Sequence, residues 1–342
     1  MLTNLDVAEL FALAAEQAEG HSQRAYRRAS SAALMWPLEV ADLIAEGRSP
    51  QELWRVGPKL SKLIKGWVED PPEIGERSPL REGFISFAHA LEVVGEHPDW
   101  EEGLRGDLQM HTHYSDGKET VATMAEAVAD KGYDYIAITD HSKGLKIAGG
   151  MDEPTLAKQI EEIDSVNGVL EAEGSPVRVL RALEMNISPD GSGDMEPESL
   201  ESLDLVLGSF HSKLRIKEDQ TDRYIAALKN PQINVLGHPR GRKFNFRAGL
   251  SADWKAVCEA AAENDKALEI DAYPDRQDLN VELLEIARES GTRISIGTDA
   301  HATWELEFIW VGIAAAILAG IDRDRILNYM PREELIAWAK GR

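Results

Sequence analysis

Five of the nine histidines in this 342-residue chain close a short apolar run: His111, His141, His211, His238 and His301. Acidic and amide side chains accompany them. Gln109 precedes His111 by two positions, Asp116 follows it, Asp299 precedes His301, Glu184 sits in a third run, and a sixth carries Glu269 and Asp271. Imidazole and carboxylate together suit Zn, Mn or Fe better than Mg or Ca. The set exceeds the shell of one ion, so it predicts a multinuclear centre of two to three divalent transition-metal ions. Any one of these histidines alone would be an ordinary hydrogen-bonded loop residue. Their recurrence at the same end of successive runs is what singles them out, and His21, His89 and His97 fall outside the pattern.

The elements that must position them begin after Gly106. Seven apolar runs, Asp107 to His111, Tyr133 to His141, Val177 to Ile187, Leu203 to His211, Ile233 to His238, Ala267 to Tyr273 and Arg293 to His301, alternate with helical patterns such as Thr120 to Lys131, Leu156 to Glu173, Ala252 to Glu263 and Val281 to Glu289. Strand–helix alternation predicts a parallel sheet, and seven units with no edge signature predict a closed α/β barrel. The C-terminal ends of its strands would converge on one face, where barrel enzymes carry their sites. Upstream, Leu5, Leu10, Leu13 and Ala14 keep a helical spacing, and Asp70-Pro71-Pro72 breaks the pattern. The expected organisation is a small all-α domain over 1–70, a linker with one helix over 71–105, and the barrel over 106–342.

Composition narrows the setting. Hydrophobic residues at 43% and charged ones at 28% fit a globular protein. No apolar run approaches the ~20 residues of a membrane span, and Phe308 to Leu318 reads as a buried helix. The N-terminus lacks the basic region and apolar core of a signal peptide. Cys258, the single cysteine, permits no internal disulfide and fits a reducing cytoplasm; its helical setting predicts a buried thiol and not a nucleophile. The expected location is cytoplasmic. A net charge of −23 repels nucleic acid at long range, so any DNA binding must come from local basic patches.

Asp107-Leu108-Gln109-Met110-His111, Tyr114-Ser115-Asp116-Gly117, Ile138-Thr139-Asp140-His141-Ser142, Gly237-His238-Pro239 and Gly297-Thr298-Asp299-Ala300-His301 resemble the PHP (polymerase and histidinol phosphatase) family. The likeness covers roughly residues 105–342 and is strongest to the PHP domains at the C-terminus of bacterial family X DNA polymerases. It implies a distorted (β/α)7 barrel with three clustered metals. His111, Glu184 and Asp299 would hold one; Glu184 would bridge to a second held by His211 and His238; Asp116, His141 and His301 would hold the third. Gln109 stands where the family has the first histidine of a His-x-His pair. An amide oxygen is a weaker ligand than imidazole, and His113 is a possible substitute.

Two cations sharing Glu184 would lower the pKa of a bridging water and supply hydroxide for in-line attack on phosphorus. A water on the third ion, the one assigned His301, could protonate the leaving group. Arginines would grip the remaining oxygens: Arg276 and Arg242 first, then Arg240, with Lys213 and Arg215 able to follow an extended substrate.

Arg24 to Ala29, Ile44 to Gly47 and Val56 to Leu60 resemble the helix-hairpin-helix DNA-end-binding domain of family X polymerases, with Arg55 where the first hairpin glycine is common and Leu63 where lyase-active relatives carry a nucleophilic lysine. Lys59, Lys62 and Lys65 remain available for phosphate. No polymerase core separates the two regions. The sequence therefore predicts a phosphoesterase acting on DNA 3′ ends, as 3′-5′ exonuclease or 3′-phosphatase. A small-molecule phosphatase of the histidinol-phosphate type stands as the alternative, followed by a non-catalytic DNA-binding protein with a degenerate site.

Overall fold

Seven parallel strands pair in chain order: β1 (Gly106–Met110), β2 (Tyr135–Ile138), β3 (Arg178–Asn186), β4 (Leu205–Ser209), β5 (Val235–Gly237), β6 (Ala267–Asp271) and β7 (Arg293–Gly297). The computed structural model that shows them describes residues 1–129 and 131–341. The strands are buried almost throughout, as expected when helices cover a parallel sheet.

Side-chain alternation along each strand builds two layers. Outward residues such as Ile136, Ile138, Val206, Leu268 and Ile296 pack under the helices. Inward residues near the strand starts, Leu180, Ala182, Leu205, Leu207, Val235 and Ala267, form a separate apolar plug with Leu327 and Leu335. Further along, the inward positions change character: Leu180 and Ala182 give way to Glu184, and Ala267 to Glu269 and Asp271. The barrel is apolar at its base and polar at its mouth.

Closure between β1 and β7 is irregular. At the mouth, the His111 N–H donates to the Ala300 carbonyl at 2.8 Å, and Asp299 N–H to the Gln109 carbonyl at 3.0 Å. Lower down, the buried side chain of Asn328 fills the gap, donating to the Gly106 and Ile296 carbonyls (2.9 and 2.8 Å) and accepting from Ile296 N–H at 2.8 Å. Asp107 accepts from the Thr298 hydroxyl and N–H at 2.6 and 3.1 Å. Burial pushes its pKa up to about 6 despite those bonds.

Ahead of the barrel lie four helices, α1 (Asn4–Glu16), α2 (Gly20–Ala33), α3 (Val40–Ala45) and α4 (Pro58–Glu69). They share a core of Phe11, Leu34, Trp36, Leu43 and Ile64, which also takes in Phe84 from the connecting segment and Phe244 from a barrel loop. The connecting segment carries two helices, Phe87–Gly95 and Pro98–Gly103, where the sequence predicted one. Proline at the first position of the second starts that helix, since its missing N–H would be unpaired there in any case. The buried helix Ile309–Leu318 packs beside Phe87–Gly95. Among the described residues no helix is long and apolar enough to cross a membrane.

Candidate metal centre

Glu184 lies near the end of β3 and is fully buried at the centre of the mouth. Its Oε1 is 2.8 Å from His238 Nε2 and 3.2 Å from His211 Nε2, and its Oε2 is 2.9 Å from His141 Nδ1 and 3.6 Å from His111 Nε2. On the β7 side, His111 Nε2 meets Asp299 Oδ1 at 2.9 Å. Asp116 closes the group, with Oδ1 3.5 Å from His141 and 3.3 Å from His301. The geometry thus forms two sets with ion-holding potential, His111–Asp116–His141–His301 and His141–Glu184–His211. Family resemblance groups His111 with Glu184 and Asp299; the structure sets its ring also against His141 and His301, with centroids 4.4 and 4.5 Å apart.

The backbone holds two of these residues in the left-handed region: His238 at φ 22° and Asp299 at φ 52°. For residues with a Cβ this conformation is strained, and such strain concentrates at functional sites. Glu269 reinforces the first turn by accepting the His238 N–H at 2.6 Å.

Burial penalises every charge here, yet the three imidazoles beside Glu184 outweigh it and hold that carboxyl well below the usual range. Against the same burial, Glu184 lifts His238 to about 10, and Asp116 with Asp299 lifts His301 to about 9. Asp299 is depressed by Arg276 and His111, whereas Asp271, beside Asp299, is pushed well up by burial and by that like charge.

The donor set fits a metal. Both Glu184 oxygens and the Nδ1 atoms of His111 and His141 are buried without a hydrogen-bond partner. Carboxylate and imidazole approach to 2.8–2.9 Å at angles that are not those of hydrogen bonds. Such orphaned lone pairs are costly, and a divalent cation satisfies several of them together. His301 Nδ1 faces the Asp299 carbonyl at 2.7 Å and must donate to it, which turns Nε2 toward Asp116.

The remaining expected residues divide. Arg276 reaches into the cluster, with Nη1 3.3 Å from Asp299 Oδ2 and 4.0 Å from Asp271 Oδ2. Arg242 lines the cavity, but its guanidinium donates to the Glu82 carbonyl at 2.9 Å and lies 3.7 Å over the Phe84 ring; burial lowers its pKa to about 10. Arg240 is turned away, bonded to Asn280 and to the Ala248 carbonyl. The amide of Gln109 points at the Glu269 carboxyl group and not at the histidines; with its nitrogen turned inward it donates to the two oxygens at 2.7 and 3.1 Å. His113 is exposed, its ring against Tyr114, and belongs to neither set. Sequence reasoning missed Arg247, which lines the cavity from the loop after β5. Its place in Lys243-Phe244-Asn245-Phe246-Arg247, a basic and aromatic stretch, was the available signal.

The cluster opens into a cavity of about 200 Å³ that also meets Ile147, Phe210 and Leu214. Through Arg276, Asp299 and His301 it adjoins a cleft of about 530 Å³ whose far wall is α2 and the turn before α4.

Residues 107–273 match the model of the PHP domain family. The chain is 36% identical to the DNA polymerase/3′-5′ exonuclease PolX of Bacillus subtilis over 79% of its own length and 45% of that protein. It therefore spans less than half of that relative. A probable phosphatase of Acetivibrio thermocellus is 32% identical, covering 58% of this chain and 81% of the relative. The probable phosphatase YcdX of Escherichia coli K12 is 29% identical over 67% of this chain and 91% of its own.

Proposed function

This chain belongs to the PHP family and is a metal-dependent phosphoester hydrolase; from that premise we propose that its substrates are the 3′ ends of DNA, cleaved as a 3′-5′ exonuclease, a 3′-phosphatase or both. The observation that carries the reading is the continuity of the metal-centre cavity with the wider cleft bordered by the N-terminal helices. A pocket for a small monoester needs no such extension, whereas a polymer end needs room for the chain behind it. The B. subtilis relative, named as a 3′-5′ exonuclease, supports the same choice.

In this proposal Glu184, His211, His238, His111 and Asp299 would hold two ions, and Asp116, His141 and His301 would hold a third. Bound metals supply Lewis-acid charge and an activated water at neutral pH. The chain's own residues do the rest. His301, with Nδ1 turned to the Asp299 carbonyl, presents Nε2 to the mouth. Arg276 turns from Asp299 to a phosphoryl oxygen, and Arg247 meets a second one, so that donors face the charge that grows in the transition state. Arg242, which the sequence marked for phosphate, keeps the linker carbonyls in place beside the cavity. Glu269 holds the turn that presents His238.

A second reading, a small-molecule phosphatase, is favoured by relatives of that name that the chain covers over most of their length, and by the net charge of −23. Incubation with 3′-hydroxyl and 3′-phosphate oligonucleotides beside a panel of phosphate monoesters, with Mn²⁺ or Zn²⁺, separates the two. Release of mononucleotides or phosphate from the oligonucleotides is expected. Turnover of monoesters alone makes the second reading the right one.

A further inference from the structure

Trp54 and Trp304 are both about half exposed, at 47% and 48%, with ring centroids 5.9 Å apart and planes inclined at 53°. They come from different parts of the fold. Trp54 precedes α4, and Trp304 follows the His301 turn. Of the other large apolar side chains left in water, Ile147 borders the metal-centre cavity and Phe246 a cleft that adjoins the Trp54 cleft at Arg27 and Lys243. Exposed apolar groups gathered in one place mark a binding surface.

Charge is gathered there too. Nine basic (Lys and Arg) and five acidic side chains line the metal-centre cavity, the cleft beside it and a further cleft that joins this one through Arg27, Ser31, Lys243 and Asp275, in a chain whose net charge is −23. Arg27 and Arg28, on the exposed face of α2, make no ion pair among the described residues. Arg55 adopts φ 63°, where the corresponding hairpin position favours glycine, and its guanidinium lies 4.1 Å over the Trp54 ring. A left-handed backbone is strained for a residue that carries a Cβ. The cost is offset if the side chain is needed in the cleft.

We propose that this cleft is a subsite for single-stranded nucleic acid, holding the nucleotides immediately behind the scissile phosphate. Bases stack on Trp54 and Trp304, and backbone phosphates lie along Arg27, Arg28 and Arg55. Interleaved cations and aromatic faces are the general means of gripping a single strand without reading its sequence. The inference rests on the DNA-end reading and deepens it: α2 and the turn before α4 form one wall of the active-site cleft. Lys59, Lys62 and Lys65, which the sequence offers for phosphate, line neither the metal-centre cavity nor this cleft.

The test uses full-length, Mn²⁺-loaded protein and a 5′-fluorescein oligothymidylate whose 3′-terminal linkages are phosphorothioates. Fluorescence anisotropy is measured over a range of salt. Trp54→Ala, and Arg27→Glu with Arg28→Glu, should each weaken binding by about 5- to 20-fold. Trp54→Phe should stay within about twofold of the parent, because a stacking face remains. Loss of two phosphate contacts should also make the log–log salt slope shallower by about 1.4, which a purely structural role for the arginines would not do. If the parent binds and the cleft variants match it in affinity and slope, the subsite is refuted while the DNA-end reading stands. A charge-reversed Lys59, Lys62 and Lys65 protein that alone loses binding refutes the subsite equally and puts the strand on α4. If the parent binds no oligonucleotide and hydrolyses only monoesters, the DNA-end reading falls, and this subsite with it.

Discussion

The side-chain amide of Gln109 packs against the carboxyl group of Glu269 inside the barrel, and with its nitrogen turned inward it donates to the two oxygens at 2.7 and 3.1 Å. A position that family resemblance marks for a metal-binding histidine is thereby tied to the residue that also holds the His238 backbone. Gln109→His should return an imidazole to the mouth and lower the Mn²⁺ concentration for half-maximal hydrolysis several-fold. His113→Ala, altering an exposed ring, should shift it by less than about twofold. Metal titrations of the two proteins check this, and a severe defect in His113→Ala would show that His113 had taken over the role.

Metal content provides a second check. Removing an imidazole opens the shell, so His211→Ala and His238→Ala should each release about one ion per chain by elemental analysis. Glu184→Gln should cost at least ~100-fold in phosphoester hydrolysis, since its carboxylate is the one proposed to be shared between two ions. Chelation of the parent should abolish activity, and Mn²⁺ or Zn²⁺ should restore it. Full activity in metal-free protein would overturn the assignment.

Asn328 is the peg in the β1–β7 seam. Asn328→Ala would leave the Gly106 and Ile296 carbonyls and the Ile296 N–H buried without that partner, each worth about 1–3 kcal/mol. The expected loss is roughly 3 kcal/mol, a fall of about 6–12 °C in Tm for a domain of this size. Calorimetry showing a change below about 2 °C would mean the seam closes without it.

Arg81 joins the linker to the N-terminal helices. Its Nε lies 2.8 and 3.0 Å from the two oxygens of the buried Glu9, and Nη1 reaches Glu16 and Asn245, each at 2.9 Å. Arg81→Met strands the Glu9 charge and should destabilise the protein by about 3–5 kcal/mol. Limited proteolysis should then cut faster between Asp70 and Pro79. Adding Glu9→Gln should recover part of the loss, because the stranded charge is gone.

The sequence by itself determined the seven strands, their parallel order and the convergence of His111, His141, His211, His238 and His301 at one end of the barrel. Those features follow from local periodicity and from the fixed direction of strands in a β/α repeat. Glu184 was legible for the same reason, as the polar residue ending an inward apolar series. Tertiary structure alone decided what long-range packing decides. It set Arg242 against Phe84 and the Glu82 carbonyl and brought Arg247 into the mouth, since a loop arginine's direction is fixed by its neighbours and not by its position in the chain. It added a second helix to the linker, which proline made possible and contact with the barrel's last turns fixed. It paired Trp54 with Trp304, 250 positions apart in sequence, because the distance between two elements along a chain carries no information about how their surfaces meet.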